Sequence, residues 1–104
     1  MTGESGTGAA RGAFAATGPS WTYTGALTFA DAAAVLEATQ ALQLPESGVV
    51  DLAGLSHADS AALAVLLALK RRAAAERRTL AFTSMPVTLD SLARVYGVDD
   101  LLAS

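Results

Sequence analysis

Two apolar segments joined by a short polar stretch dominate the hydrophobic pattern, in the sequence VVDLAGLSHADSAALAVLLAL from Val49 to Leu69. The first segment is too short for a helix and is bounded by Gly48 and Gly54, which is typical of a strand covered on both faces. From Asp59 onward, apolar residues recur at intervals of three and four, which predicts the main helix of the domain. Its predicted buried stripe comprises Leu63, Leu66, Leu67, Lys70 and Ala74.

The polar stretch Ser56-His57-Ala58-Asp59-Ser60 is predicted to be a turn between this strand and this helix. Ser and Asp cap helices, because their side-chain oxygens accept hydrogen bonds from the free N–H groups of the first turn. We therefore predict that the central helix begins at Asp59 or Ser60.

The rest of the chain predicts three more strands and two more helices. Aromatic residues alternate with threonines in Trp21-Thr22-Tyr23-Thr24, so both rings should point to one face of a strand, towards the core. Thr28 is a candidate N-cap, and Gly97 is a candidate left-handed residue at a helix end. The predicted elements are strands at 12–16, 21–24 and 79–83, helices at 29–42 and 85–97, and a last helical turn at 98–102.

This order, ββαβαβα, predicts an α/β fold with a mixed sheet of about four strands, covered by three to four helices. The 104 residues, of which 52% are hydrophobic, suffice for one domain and its core. Residues 1–11 are mostly Gly, Ala, Ser and Thr, without the pattern of a signal peptide. We expect them to form a disordered N-terminal extension, followed by a domain over residues 12–104.

Composition excludes several classes of function. The net charge of -3 argues against a nucleic-acid partner, and the absence of cysteine argues against a disulfide-stabilised secreted domain. No apolar run is long enough to span a membrane, since Lys70 interrupts the longest one. These features favour a cytoplasmic location. The basic residues near the end of the central helix are explained by the exposed carbonyls there: Lys70, Arg71, Arg72, Arg77 and Arg78.

Catalytic chemistry is not expected. His57, Asp59 and Ser60 are a triad by residue type, but such close neighbours in sequence rarely reach the required geometry, and His57 is the only histidine. We interpret His57 as a solvated turn residue. The other carboxylates are spread without the spacing of metal ligands, so neither a metal site nor a cofactor is predicted.

The sequence resembles the STAS domain family over nearly all of the chain after Gly12. The Asp59-Ser60 pair is the most specific feature, although Ala62 stands where family members commonly have glycine. The other residues that carry the resemblance are Val49-Val50-Asp51-Leu52, Leu63, Leu66-Leu67, Leu80-Ala81-Phe82 and Leu92-Ala93.

The resemblance implies a protein-binding module without catalysis, in one of two branches. MlaB-like members bind the ATPase subunit of the Mla phospholipid-transport ABC complex, on the inner face of the cell membrane. Anti-sigma factor antagonists are phosphorylated by a partner kinase on the serine equivalent to Ser60. The segments around Trp21, Gly25-Ala26-Leu27 and Leu92–Val98 are closer to the MlaB-like pattern, which makes the ATPase subunit the favoured partner.

Two interpretations of the helix start remain open. Ser60 is a switch residue, or Asp59 and Ser60 only cap the helix. A partner is expected to contact the start of the central helix and the end of the last full helix, at Ala61, Val65, Ala68, Arg72, Arg94 and Tyr96. The alternative for the small residues is packing against a neighbouring helix of the same domain.

Overall fold

A computed structural model describes residues 12–103, so the predicted extension over residues 1–11 lies outside the described residues. The described chain forms a four-stranded sheet and four helices, which confirms the predicted α/β architecture. The strands are β1 (Ala13–Thr17), β2 (Ser20–Leu27), β3 (Val49–Ala58) and β4 (Ala81–Thr83), and the helices are α1 (Phe29–Thr39), α2 (Ser60–Ala75), α3 (Val87–Val95) and α4 (Asp99–Ala103).

The sheet is mixed and follows the chain order β1-β2-β3-β4. The hairpin of β1 and β2 is antiparallel, whereas β2, β3 and β4 are mutually parallel. Right-handed crossovers between successive parallel neighbours place α1 and α2 on the same face of the sheet. The helices therefore form one layer against the sheet.

Within residues 12–103, only one face of the sheet is covered, which corrects the prediction that β3 is buried on both faces. Val50 and Leu52 are completely buried, while Asp51 between them is half-buried and Ala53 is exposed. Trp21 and Tyr23 both point into the core, as predicted. Phe14 packs edge-on against Tyr23, with ring centroids 4.6 Å apart. The core thus lies between this face and the helical layer.

The predicted turn at residues 56–58 is wrong, because β3 continues through Ser56 and His57 to Ala58. His57 pairs with Ala26 in β2, which is itself longer than predicted. Ser56 and His57 belong to the sheet through their backbone N–H and C=O groups, whatever their side chains. The hydrophobic pattern reports only on side chains, so it did not show that the strand continues. The turn therefore reduces to Asp59, and α2 begins at Ser60 as predicted.

The buried face of α2 also differs from the predicted stripe. Leu63 and Leu66 are buried as expected, but Lys70 is half-buried and Ala74 is exposed. The helix contacts α1 on one side and α3 and α4 on the other, so its covered face is broad. The residues buried on it are Ala62, Leu63, Val65, Leu66, Leu69 and Ala73.

Helix α3 ends as the sequence predicts. Gly97 has φ of 71°, in the left-handed region that glycine tolerates best. The N–H of Gly97 donates to Arg94 O at 3.0 Å, and the N–H of Val98 donates to Ala93 O at 2.9 Å. These two bonds form a Schellman motif, which directs the chain into α4.

Candidate functional site at the start of the central helix

Three helices begin at one edge of the sheet. Because α1, α2 and α3 each follow one of three adjacent parallel strands, their first turns lie side by side at the carboxyl ends of those strands. Phe29, Ser60 and Val87 are the first residues of these helices. Helix α2 stands between the other two and contacts both.

Asp59 joins two of these helix starts. Its Oδ1 accepts a hydrogen bond from the N–H of Ala61 at 2.9 Å, and its Oδ2 accepts one from the N–H of Phe29 at 3.0 Å. Thr28 occupies the N-cap position of α1 but makes no side-chain capping bond, so Asp59 serves both helices. The carboxylate is half-buried between them.

Ser60 is exposed and lies immediately beside this cap. Within the described part of the chain its hydroxyl makes no hydrogen bond, because Asp59 already accepts from the first turn of α2. The two residues therefore have different positions: Asp59 caps the helix, and Ser60 presents a hydroxyl to solvent at the positive end of the helix dipole. Capping accounts for Asp59 but leaves Ser60 without a structural role.

The predicted partner stripe on α2 is not an exposed surface. Val65 is only 2% exposed, and Ala61 and Ala68 are half-buried. Since α2 packs directly against α1, the intramolecular alternative fits the small residues on this helix. The sequence pattern did not distinguish the two cases because a helix neighbour and a partner select the same small apolar side chains.

Arg72 is engaged within the domain as well. Its guanidinium donates to Thr39 O at 2.9 Å and to Leu42 O at 2.7 Å, and its Nε donates to Glu76 Oε2 at 3.0 Å. These carbonyls belong to the end of α1 and the turn that follows it. Arg72 thus ties α2 to the C-terminus of α1, and its side chain remains 25% exposed.

The predicted residues on and after α3 are accessible. Arg94 is exposed and forms an i, i+4 ion pair with Asp90, at 3.3 Å. Val87 and Val95 are 81% and 79% exposed, and two turns of helix place them on one side of α3. We call this surface the α3 face and define it as Val87, Ser91, Arg94 and Val95. Tyr96, the C-cap residue after the helix, is also exposed, at 59%, but nine positions from Val87 place it on another side of the helix axis.

The remaining candidates give no catalytic arrangement. His57 is exposed on β3, and its side chain has no described hydrogen bond to Asp59 or Ser60. Among residues 12–103, no cluster of three or more His, Asp or Glu side chains is placed to hold a metal ion. Over the same range, no helix combines the length and apolar character needed to cross a membrane.

Sequence reasoning missed Phe29 and Val87, which expose large apolar side chains at helix starts. Phe29 is 83% exposed at the first position of the predicted helix. A usable signal was available for both. Each residue lies at the first helical position, where the side chain leans towards the N-terminal end of the helix and so beyond the turns that follow.

The fold and the geometry of this helix start define a small α/β domain. Its central helix is capped by Asp59 and begins with the solvent-exposed Ser60. The chain belongs to the family described as "Mlab, STAS domain", whose model matches residues 22–103. That match covers most of the chain and confirms the resemblance inferred from the residues. A search of the curated proteins found no match.

Proposed function

We propose that this chain is a non-enzymatic STAS subunit that binds and regulates the ATPase of a Mla-type phospholipid-transport ABC system. Membership of the family described as "Mlab, STAS domain" supports the ATPase as partner. The observation that carries the proposal is the α3 face. It presents Val87 and Val95 to solvent, and its first residue, Val87, lies at the same edge of the sheet as the exposed Ser60.

Apolar side chains exposed together on one helix are a feature of protein interfaces. The α3 face starts at the same edge as Ser60 and extends along the outer side of α3, away from the contacts with α2. A partner seated there covers the two valines and reaches the sheet edge at which the Ser60 hydroxyl is exposed. The proposal includes a cytoplasmic location, at the inner side of the membrane through the partner.

The test is binding to the ATPase encoded in the same genome, measured by surface plasmon resonance with purified proteins. Val95→Asp and Val87→Asp should each weaken binding at least about tenfold, because a carboxylate would be desolvated in an apolar contact. Ala33→Asp, on the exposed side of α1, adds the same charge away from the α3 face and is the control. Equal binding by all three variants would refute this location of the interface, and no binding by the unaltered chain would refute the ATPase as partner.

A second function is favoured by Ser60 itself, whose hydroxyl is exposed and not used for capping. We propose phosphorylation of Ser60 as the switch in an anti-sigma factor antagonist if the partner is a kinase. Adding phosphate would bring about two negative charges to the head of α2, close to Asp59. Intact mass after incubation with the candidate kinase and ATP should rise by one phosphate, and Ser60→Ala should remain unmodified. An unmodified native chain would remove this alternative.

A further inference from the structure

A concave surface lies at the opposite end of α2 from Ser60. It is a cleft of about 560 Å³ between the C-terminal half of α2, the segment entering β4, and α4. Leu67, Leu80 and Leu101 supply apolar walls from these three elements. Its size falls within the range of small-molecule sites, which are mostly apolar with a few placed polar groups.

The charged side chains described in this cleft are all cationic, beside the neutral residue Thr79. Lys70, Arg71 and Arg78 line it, and no acidic side chain of residues 12–103 does so. The whole chain carries a net charge of -3, so a concentration of positive charge here is a local feature. Such a cleft is complementary to a ligand that has both an anionic group and an apolar chain.

Two of the cations are held in place by the fold. Lys70 donates to Leu80 O and lies 5.7 Å from the centroid of the Phe82 ring, while Arg78 donates to Pro45 O at 2.7 Å. Partial burial lowers the pKa of Lys70, because desolvation disfavours the ammonium ion. An anion in the cleft would interact favourably with these cations.

We propose that this cleft binds a single-chain anionic amphiphile, such as a long-chain carboxylate or phosphate monoester. The apolar chain lies against Leu67, Leu80 and Leu101, and the anionic group meets Arg71 and its neighbouring cations. This site is separate from the α3 face and stands whether or not the ATPase is the partner. A peptide segment with acidic side chains is less well matched, because the walls come from three elements and enclose a cleft.

The test is isothermal titration calorimetry of the full chain with dodecyl phosphate, kept below its critical micelle concentration. We expect saturable binding of one molecule per chain, with NMR shift changes confined to residues 67–80 and the region of Leu101. Leu101→Asp should weaken binding at least about tenfold, because it places a negative charge in the apolar wall. Arg71→Gln should weaken binding by a similar factor, because a charge-assisted contact with the anionic group is lost.

The control is again Ala33→Asp, which lowers the net charge by one like both test variants and should bind within about twofold of the unaltered chain. Dodecyltrimethylammonium carries the same chain with a positive head and should not bind. Equal binding of that cation would show general detergent association and overturn the proposal. Inorganic phosphate binding as tightly as dodecyl phosphate would show an anion site without a chain site, and no saturable binding of dodecyl phosphate would refute the site.

Discussion

The carboxylate of Asp59 accepts a hydrogen bond from the backbone N–H of Phe29, thirty positions earlier in the chain, at 3.0 Å. Its other oxygen accepts from the N–H of Ala61 in its own helix. One side chain therefore caps α1 and α2 together and sets the distance between their first turns. This cap also leaves the neighbouring Ser60 hydroxyl exposed to solvent.

Replacing Asp59 should destabilise the fold more than replacing Ser60. Asp59→Ala removes the acceptors of two helix-start N–H groups, and we expect a loss of about 2 kcal/mol in the free energy of unfolding. Asp59→Asn should be intermediate, since an amide offers one acceptor oxygen in place of two. Ser60→Ala should change stability by less than about 0.5 kcal/mol. Urea unfolding of the three variants measures this, and equal losses at both positions would contradict the assignment of the cap.

Arg72 should be the most important cation for stability. Arg72→Ala removes its bonds to Thr39 O and Leu42 O. Thr39 O keeps its bond from the N–H of Leu42, whereas Leu42 O loses its charged donor, and we expect a loss of about 2 kcal/mol in the free energy of unfolding. Arg72→Lys should recover only part of this, since an ammonium cannot reproduce the planar fork. Arg71→Ala, one position away and exposed, is the control and should be nearly neutral in the same urea titration.

Arg77 lies in a backbone conformation that favours glycine. Its φ is 58°, and the bonds from the N–H of Arg77 to Ala74 O and from the N–H of Arg78 to Ala73 O close α2 with the same motif as Gly97 closes α3. Arg77→Gly should stabilise the domain by about 1 kcal/mol, by removing the strain of a side chain in the left-handed region. The melting temperature should rise by about 4 to 8 °C.

Glycine inside the helix is the matched comparison for that variant. Arg71→Gly should lower the free energy of unfolding by about 1 kcal/mol, because it adds backbone freedom in the last third of α2. If both glycine variants lower the melting temperature, the conformation assigned to Arg77 is wrong.

Stability should fall at alkaline pH through Tyr23. Burial, with a smaller contribution from the negative charge of Asp31, raises the pKa of Tyr23 to about 12 in the folded chain. The unfolded chain titrates near 10, so it releases this proton first and stability is lost as the pH rises from about 10 to about 12. Below pH 10 this group has no effect on the pH dependence.

Tyr23→Phe should flatten that part of the stability profile, measured by denaturant unfolding between pH 8 and 11.5. It also removes the hydrogen bond from the hydroxyl to Ala26 O, of 2.6 Å, so the variant should be less stable at neutral pH by about 1 kcal/mol. Tyr96→Phe is the control at an exposed position and should leave the alkaline loss in place. If the free energy of unfolding of Tyr23→Phe falls with rising pH as steeply as that of the unaltered chain, another group causes the alkaline loss.

Local signals in the sequence were sufficient for the order of elements, the core direction of Trp21 and Tyr23, the start of α2 and the turn at Gly97. Each depends on residues close together in the chain: an alternation of rings and hydroxyls, a capping carboxylate, or a glycine after a helical stripe. Such interactions form within one or two turns, so their residues are visible side by side in the sequence.

The tertiary structure alone decided which surfaces are free. Val65 and Arg72 resemble partner contacts in the sequence, but the packing of α1 against α2 buries the first and engages the second. Val87 and Phe29 look like core residues and are exposed, because each begins a helix at the edge of the sheet. Burial depends on what lies across a contact from distant parts of the chain, and a local pattern of apolar residues does not contain that information.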